Sequence, residues 1–182
     1  MHEALLATLP LPTTPGRVAV REGALYRVTM VDPARSAVVP ALARELERVF
    51  ELFAREAGVD AAEPVNIRIE PGIFGHHQVG RAADVYAVGG IGLREWWNRW
   101  RERTARAAAL PTPLARRLAR ETEEKENLGW RIYEAMRRHG RWAQPYGHPV
   151  QLFGPWTRES GPWRQISDFL LRAHRDHIHC SK

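Results

Sequence analysis

The hydrophobic residues of this chain recur with two different periods, and this feature restricts its fold more than any other. In "PVNIRIEPG", the apolar residues Val65, Ile67 and Ile69 alternate with polar ones, which predicts a half-buried strand. Between Ser36 and Gly58, apolar residues recur at helical spacing, which predicts an amphipathic helix. A chain that contains both patterns is expected to pack helices against a sheet.

The same patterns predict the remaining elements: strands over residues 23–32, 82–88, 150–153 and 176–181, and helices over residues 93–109, 113–138 and 163–174. This order favours hairpin-like strand pairing over repeated βαβ units. We therefore expect an α+β fold with a small antiparallel sheet flanked by helices. A length of 182 residues suits a single domain, with amino-terminal strands and an extension in about residues 1–36 and the core in residues 37–182.

The chain contains a single cysteine, Cys180, so no internal disulfide can form. One thiol also cannot provide the several thiolates of a thiolate-rich zinc site. Any metal must therefore be held by imidazole and carboxylate groups. Because Cys180 follows His179 on the last predicted strand, it faces the other side, and we expect it to pack in the core.

The formal net charge of +6 indicates an anionic partner. Acidic residues are interspersed with the arginines of one long predicted helix, and this mixture favours a solvated surface over a nucleic-acid groove. No apolar run approaches the roughly 20 residues that span a membrane. The start, "MHEALLATLPLPTTPG", has no basic region and a short apolar run broken by prolines, so we predict no secretory signal. The expected location is the cytoplasm, or an exterior reached by a signal-independent, phage-like or effector-like route.

Two clusters of metal-binding residue types lie far apart in the sequence. The first, "HHQVGRAAD", contains His77 and Asp84, and Gly80 between them offers a bend that could bring both side chains to one point. The second, "DHIH", places His177 and His179 on one face of the last predicted strand. We therefore predict a zinc ion held by one histidine of this strand together with the two residues of the first cluster.

Three protein ligands and an open fourth position are typical of a catalytic zinc site. Zinc lowers the pKa of a bound water towards about 7 and polarises a substrate carbonyl. A nearby carboxylate must then pass the proton of this water to the leaving amine. Asp176 is placed for that role, so the residues indicate metal-assisted hydrolysis of an amide-like bond.

Both clusters match a known family. "HQVGRAADV" resembles the S-x-H-x-x-G-x-A-x-D motif of the LAS-type zinc peptidases, with Gly75 in the place of the serine. "DHIH" resembles the second motif of that family, an acidic residue followed three positions later by a histidine, and it lies about ninety residues further on. The family includes D-alanyl-D-alanine carboxypeptidases and dipeptidases, L-alanyl-D-glutamate endopeptidases, murein endopeptidases and the hedgehog signalling domain.

The resemblance implies a role for each matching residue. By position, the metal ligands are His77, Asp84 and His179. Asp176 matches the catalytic base, and His177 matches a residue that assists at the zinc or stabilises the transition state. The implied fold is that of the hedgehog and D-Ala-D-Ala peptidase domains.

Two further residues are expected to contact the substrate. His174 matches a histidine of the murein endopeptidase branch, five positions before the last ligand. Members of the family often carry an arginine or glutamine that clamps the substrate on the strand before the first motif, and Arg68 is the candidate here.

The function that the resemblance implies is zinc-dependent hydrolysis of a peptide bond in peptidoglycan stem peptides, at a D-amino-acid centre. A binding module that keeps zinc without turnover is an alternative, because the hedgehog domain shows that the fold tolerates this. A ββα-metal nuclease also contains "DHI", but it needs further ligands downstream, where only "HCSK" follows. A nucleic-acid binder that acts through charge alone would show salt-dependent binding.

Overall fold

The structure, a computed structural model, describes residues 16–72, 75–143, 151–160 and 167–182. Its strands are β1 (Tyr26–Met30), β2 (Val65–Glu70), β3 (Ala82–Val88), β4 (Ile91–Gly92), β5 (Leu152–Phe153) and β6 (Ile178–Ser181). Its helices are α1 (Pro33–Ser36), α2 (Pro40–Glu56), α3 (Leu93–Ala108), α4 (Pro113–Glu126), α5 (Leu128–His139), α6 (Thr157–Ser160) and α7 (Asp168–Ala173), and a 3₁₀ helix spans Gly75–Val79. The predicted α+β class is confirmed. The first part of the amino-terminal extension, residues 1–15, and the predicted helix start at residues 163–166 lie outside the described residues.

The strands form one sheet in the order β1-β2-β3-β6-β5, and β4 pairs with the end of β3. The pairs β2–β3, β3–β4, β3–β6 and β5–β6 are antiparallel, as expected. The pair β1–β2 is parallel, so the prediction of an antiparallel sheet is wrong there. Helix α2 lies between these two strands in sequence and returns the chain to the same end of the sheet, which makes the strands parallel.

One face of the sheet packs against the helices. On α2, Leu42, Leu46 and Phe50 are fully buried, as the helical spacing predicted. On β2, Ile67 and Ile69 are fully buried within the same core, while the residues that alternate with them are polar and more exposed. The alternation therefore leaves a second, polar face of the sheet away from the core.

The predicted helix over residues 113–138 is interrupted at Asn127, so the prediction of one continuous helix is wrong. The side chain of Asn127 accepts a hydrogen bond of 2.9 Å from the backbone N–H of Trp130 and caps α5. Its Nδ2 donates to the carbonyl oxygen of Trp96 at 3.0 Å. A side chain that accepts a hydrogen bond from a backbone N–H in the first turn of a new helix favours the start of that helix over continuation of the preceding one.

The carboxyl-terminal strand β6 lies between β3 and β5 and is anchored by the buried carboxylate of Glu45. Lys182 Nζ lies 3.2 Å from Glu45 Oε2, and the backbone N–H of Arg141 donates to Glu45 Oε1 at 2.7 Å. Burial alone would raise the pKa of Glu45, but hydrogen bonds from Arg48, Arg141 and Lys182 lower it. This contact ties α2 to the strand that carries His179.

No helix within the described ranges combines the length and the apolar character that a membrane crossing requires.

Candidate metal centre

Asp84 and His179 are brought together by the pairing of β3 with β6. They are direct partners in the antiparallel register, so their side chains lie on the same face of the sheet. Their neighbours Val85 and Ile178 are fully buried in the core. Because successive side chains alternate, Asp84 and His179 point away from that core, towards the polar face.

His77 reaches the same point because the chain bends after the 3₁₀ helix. Gly80 has a positive φ of 69°, a backbone conformation that glycine adopts without strain. Its N–H donates to the carbonyl oxygen of His77 at 3.0 Å, and the N–H of Arg81 donates to that of His76 at 2.8 Å. The bend that the sequence predicted at Gly80 is confirmed.

The three predicted ligands form a compact group of donor atoms. His179 Nδ1 lies 2.9 Å from Asp84 Oδ1, and His77 Nε2 lies 3.3 Å from Asp84 Oδ2. The two imidazole nitrogens, His77 Nε2 and His179 Nδ1, are 3.1 Å apart. Around a tetrahedral zinc with bonds of about 2.0 Å, ligand atoms are expected to be roughly 3.3 Å apart. The group could therefore hold one metal ion with little rearrangement.

The charge state of Asp84 suits a metal ligand. Its side chain is 7% exposed, and burial on its own would raise the pKa of the carboxyl group. Hydrogen bonds from His179 and His77 outweigh this effect and hold the pKa of Asp84 well below its ordinary range. The carboxylate is therefore ionised at neutral pH, as coordination requires.

His177 lies beside this group, and Asp176 contacts the other nitrogen of the His177 ring. His177 Nδ1 and Asp176 Oδ1 are 2.8 Å apart, so an N–H at Nδ1 donates to the carboxylate. His177 Nε2 lies 3.9 Å from Asp84 Oδ1, so this nitrogen is directed towards the candidate ligands. The side chain of Asp176 is 45% exposed to solvent.

His174 ends α7 and lines the same site. Its Nδ1 lies 2.7 Å from the carbonyl oxygen of Leu170, to which the Nδ1–H donates. Its ring centroid is 5.0 Å from that of His177 and 5.4 Å from that of His179. Burial is the main cause that lowers the pKa of His174 to about 4. A neutral ring that donates through Nδ1 has its Nε2 available to accept a hydrogen bond.

The candidate ligands, together with His174 and His177, line one cavity of about 600 Å³. The residues that line it come from several elements: Arg35, Pro71, Gly72, His77, Asp84, Tyr86, Ala173, His174, His177 and His179. Sequence reasoning missed Arg35 and Tyr86. Tyr86 follows Asp84 by two positions on a correctly predicted strand, so the alternation rule could have found it. Arg35 lies in a short segment with no periodic pattern, and only the tertiary fold places it here.

Arg68 lies on the polar face of β2, where its Nη2 is 2.8 Å from Glu70 Oε1. Among the described residues, the arginine that lines the cavity is Arg35, whose nearest acidic partner, Asp32, is 3.8 Å away. A substrate clamp at Arg68 stays a prediction. Arg35 is the second candidate for that contact.

Cys180 is fully buried on the core side of β6, as predicted. Burial raises the pKa of its thiol, which keeps it protonated and unsuited to bind a metal.

Gly72 leaves the space that the His77 ring occupies. A Cβ atom at this position would collide with the imidazole carbons of His77. We expect Gly72→Ala to displace the ring and weaken zinc binding by about tenfold or more, in the range found when the supports of a metal ligand are changed. Competition with a chromophoric chelator would measure the dissociation constant.

Gly92→Ala is the matched control for this substitution. Gly92 has a φ of −63°, and a Cβ there would meet its nearest neighbour, the carbonyl oxygen of Tyr86, at an ordinary 3.9 Å. This variant should bind zinc like the wild type. If Gly72→Ala bound zinc with the affinity of the wild type, the space at Gly72 would not be needed to place the His77 ring.

Comparisons with protein-family models, with curated proteins and with solved structures found no match to the chain.

Proposed function

We propose that this chain is a zinc-dependent metallopeptidase that hydrolyses a peptide bond in peptidoglycan stem peptides. The observation that carries the proposal is the convergence of His77, Asp84 and His179, whose donor atoms all lie within 4.8 Å of one another. These residues come from two segments about a hundred positions apart, and they are the ones that match the ligand positions of the LAS-type motifs.

The donor set favours zinc over harder cations. Two imidazole nitrogens and one carboxylate oxygen are typical zinc ligands, whereas calcium and magnesium prefer oxygen alone. The group borders an open cavity, which suits a catalytic ion with a free coordination position better than a closed structural one. When bound, zinc would polarise a substrate carbonyl and lower the pKa of water.

The residues around the candidate ligands supply the other parts of a hydrolytic site. Asp176 is a partly exposed carboxylate that accepts a hydrogen bond from His177, and it is our candidate for the base that moves the proton from water to the leaving amine. His177 directs Nε2 towards the candidate ligands and could stabilise charge that develops on the substrate. His174 offers a neutral Nε2 in the same cavity.

The substrate class rests on the family resemblance, and two features of the chain are compatible with it. The cavity is large enough for several atoms of a peptide. The net charge of +6 suits an anionic wall polymer, and Arg35 at the cavity suits a carboxylate of the stem peptide.

Purified peptidoglycan, incubated with the zinc-loaded chain, tests the proposal. Mass spectrometry of the fragments should show loss of a terminal residue for a carboxypeptidase or opened cross-links for an endopeptidase. A zinc chelator should stop the reaction, and added zinc should restore it. Stoichiometric zinc binding without cleavage would instead support the inactive binding module, and absence of zinc binding would refute both.

A further inference from the structure

Tyr86 makes a close ring contact inside the candidate site. It lies on β3 two residues after Asp84, so both side chains project from the same face of the sheet. Its ring stacks on the imidazole of His177, with the ring centroids 4.8 Å apart and an interplanar angle of 23°. Tyr86 also lines the cavity with the candidate ligands. It therefore covers one face of His177 within the site.

The other contacts of His177 restrain its ring only in part. The hydrogen bond from Nδ1 to Asp176 determines which nitrogen faces Asp84 and opposes rotation of the ring about its Cβ–Cγ bond, but the Asp176 side chain is 45% exposed, where water competes for that bond. The ring of His174 approaches at an angle of 56°, so it does not stack. The nearly parallel face of Tyr86 restricts this rotation, because parallel-offset rings lose contact when one of them turns.

The hydroxyl group of Tyr86 is not part of this restraint. The hydrogen bonds within the described residues include none made by this hydroxyl, whereas Tyr26 donates from its hydroxyl to the carbonyl oxygen of Glu47 at 3.3 Å. The contact that Tyr86 makes with the site is therefore made by its ring.

We propose that Tyr86 is a positioning residue, whose ring holds the His177 imidazole with Nε2 directed at the metal-binding group. The catalytic consequence of this role rests on the proposed peptidase function. The role of Tyr86 in holding the His177 ring does not rest on that function, because the stacking contact between the two rings exists whether or not the chain is a peptidase. Phenylalanine at this position should preserve the restraint, and an aliphatic side chain should remove it.

The test compares Tyr86→Phe with Tyr86→Leu. Protons above an aromatic ring are shielded, so the His177 ring signals in an NMR spectrum should lie upfield in the wild type and in Tyr86→Phe. They should move downfield in Tyr86→Leu. A His177→Gln variant assigns these signals. We also expect Tyr86→Leu to lower kcat on peptidoglycan fragments by about tenfold or more, the size of effect found when residues that orient the groups at a metal site are changed, while Tyr86→Phe stays near the wild type.

Each result of this test either supports or overturns the positioning role of Tyr86. Equal loss of activity in Tyr86→Phe and Tyr86→Leu would assign the role to the hydroxyl and overturn it. Unchanged His177 signals in Tyr86→Leu would overturn it whether or not the chain cleaves peptides. If the wild type is inactive, the peptidase proposal fails, and cross-relaxation between the ring protons of His177 and those of His174, whose centroids are 5.0 Å apart, still decides the positioning role, because it reports the orientation of the His177 ring and not the ring current of Tyr86. Should thermal unfolding show that Tyr86→Leu is poorly folded, Tyr86→Thr, which suits a strand, replaces it.

Discussion

Substitution of His77 by alanine is expected to abolish stoichiometric zinc binding. It removes one of three donor atoms and leaves only Asp84 and His179, which lie 2.9 Å apart. Changes to residues that merely support a ligand weaken metal binding by roughly 10- to 100-fold, so loss of a ligand should cost at least about 100-fold. Isothermal titration with zinc, together with metal analysis after dialysis, measures the effect.

His76→Ala is the matched control. His76 lies next to His77 in the same 3₁₀ helix, but it is exposed and does not line the cavity. Its backbone carbonyl, which accepts from Arg81, is unaffected by the substitution. This variant should bind zinc like the wild type. Zinc retained by His77→Ala, or lost equally from both variants, would contradict the ligand assignment.

Substitution of Asp176 by asparagine should separate turnover from metal binding. The amide oxygen of asparagine can still accept the hydrogen bond from His177 Nδ1, so the arrangement of the site is preserved. The amide is not a base, and general acid–base catalysis contributes roughly 10²- to 10⁴-fold to a rate. We expect kcat and kcat/KM to fall together by about this factor, because the group acts in the transition state. Zinc content should stay at the wild-type level.

Asp168→Asn provides the control for the change in charge. Asp168 is exposed on α7, where its carboxylate pairs with Arg158, whereas that of Asp176 contacts His177. Its substitution should leave steady-state kinetics on the same peptidoglycan fragments unchanged. Full activity of Asp176→Asn would exclude this carboxylate as the base. Loss of zinc from Asp176→Asn would instead assign it to the binding of the ion.

Local sequence patterns predicted the elements that carry the site. The alternation in β2 and the bounds of β3 agree with the structure, because side chains two apart on a strand share one face. The bend at Gly80 was also predictable, since few other residues adopt its backbone conformation at low cost. These local features, together with the two motifs, were sufficient to predict that His77, Asp84 and His179 meet.

Features that depend on distant parts of the chain were not predictable in this way. The parallel pairing of β1 with β2 follows from the path of α2 across the sheet, and neither strand encodes it. The break at Asn127 depends on a buried contact with Trp96, which lies on another helix. Arg35 reaches the cavity only because α1 packs near it, and no local pattern marks that residue.

His77 and His179 are 102 positions apart along the chain, and this separation has a consequence for the stability of the fold. An unfolded chain must close a long loop to bring them together, so the unfolded state has no ready-made binding site. An ion bound there would act as a reversible cross-link between the strands β3 and β6. Because a ligand that binds only the native state stabilises it in proportion to the logarithm of its free concentration once that exceeds the dissociation constant, the supply of metal would set the fraction of chains that are unfolded and open to proteolysis.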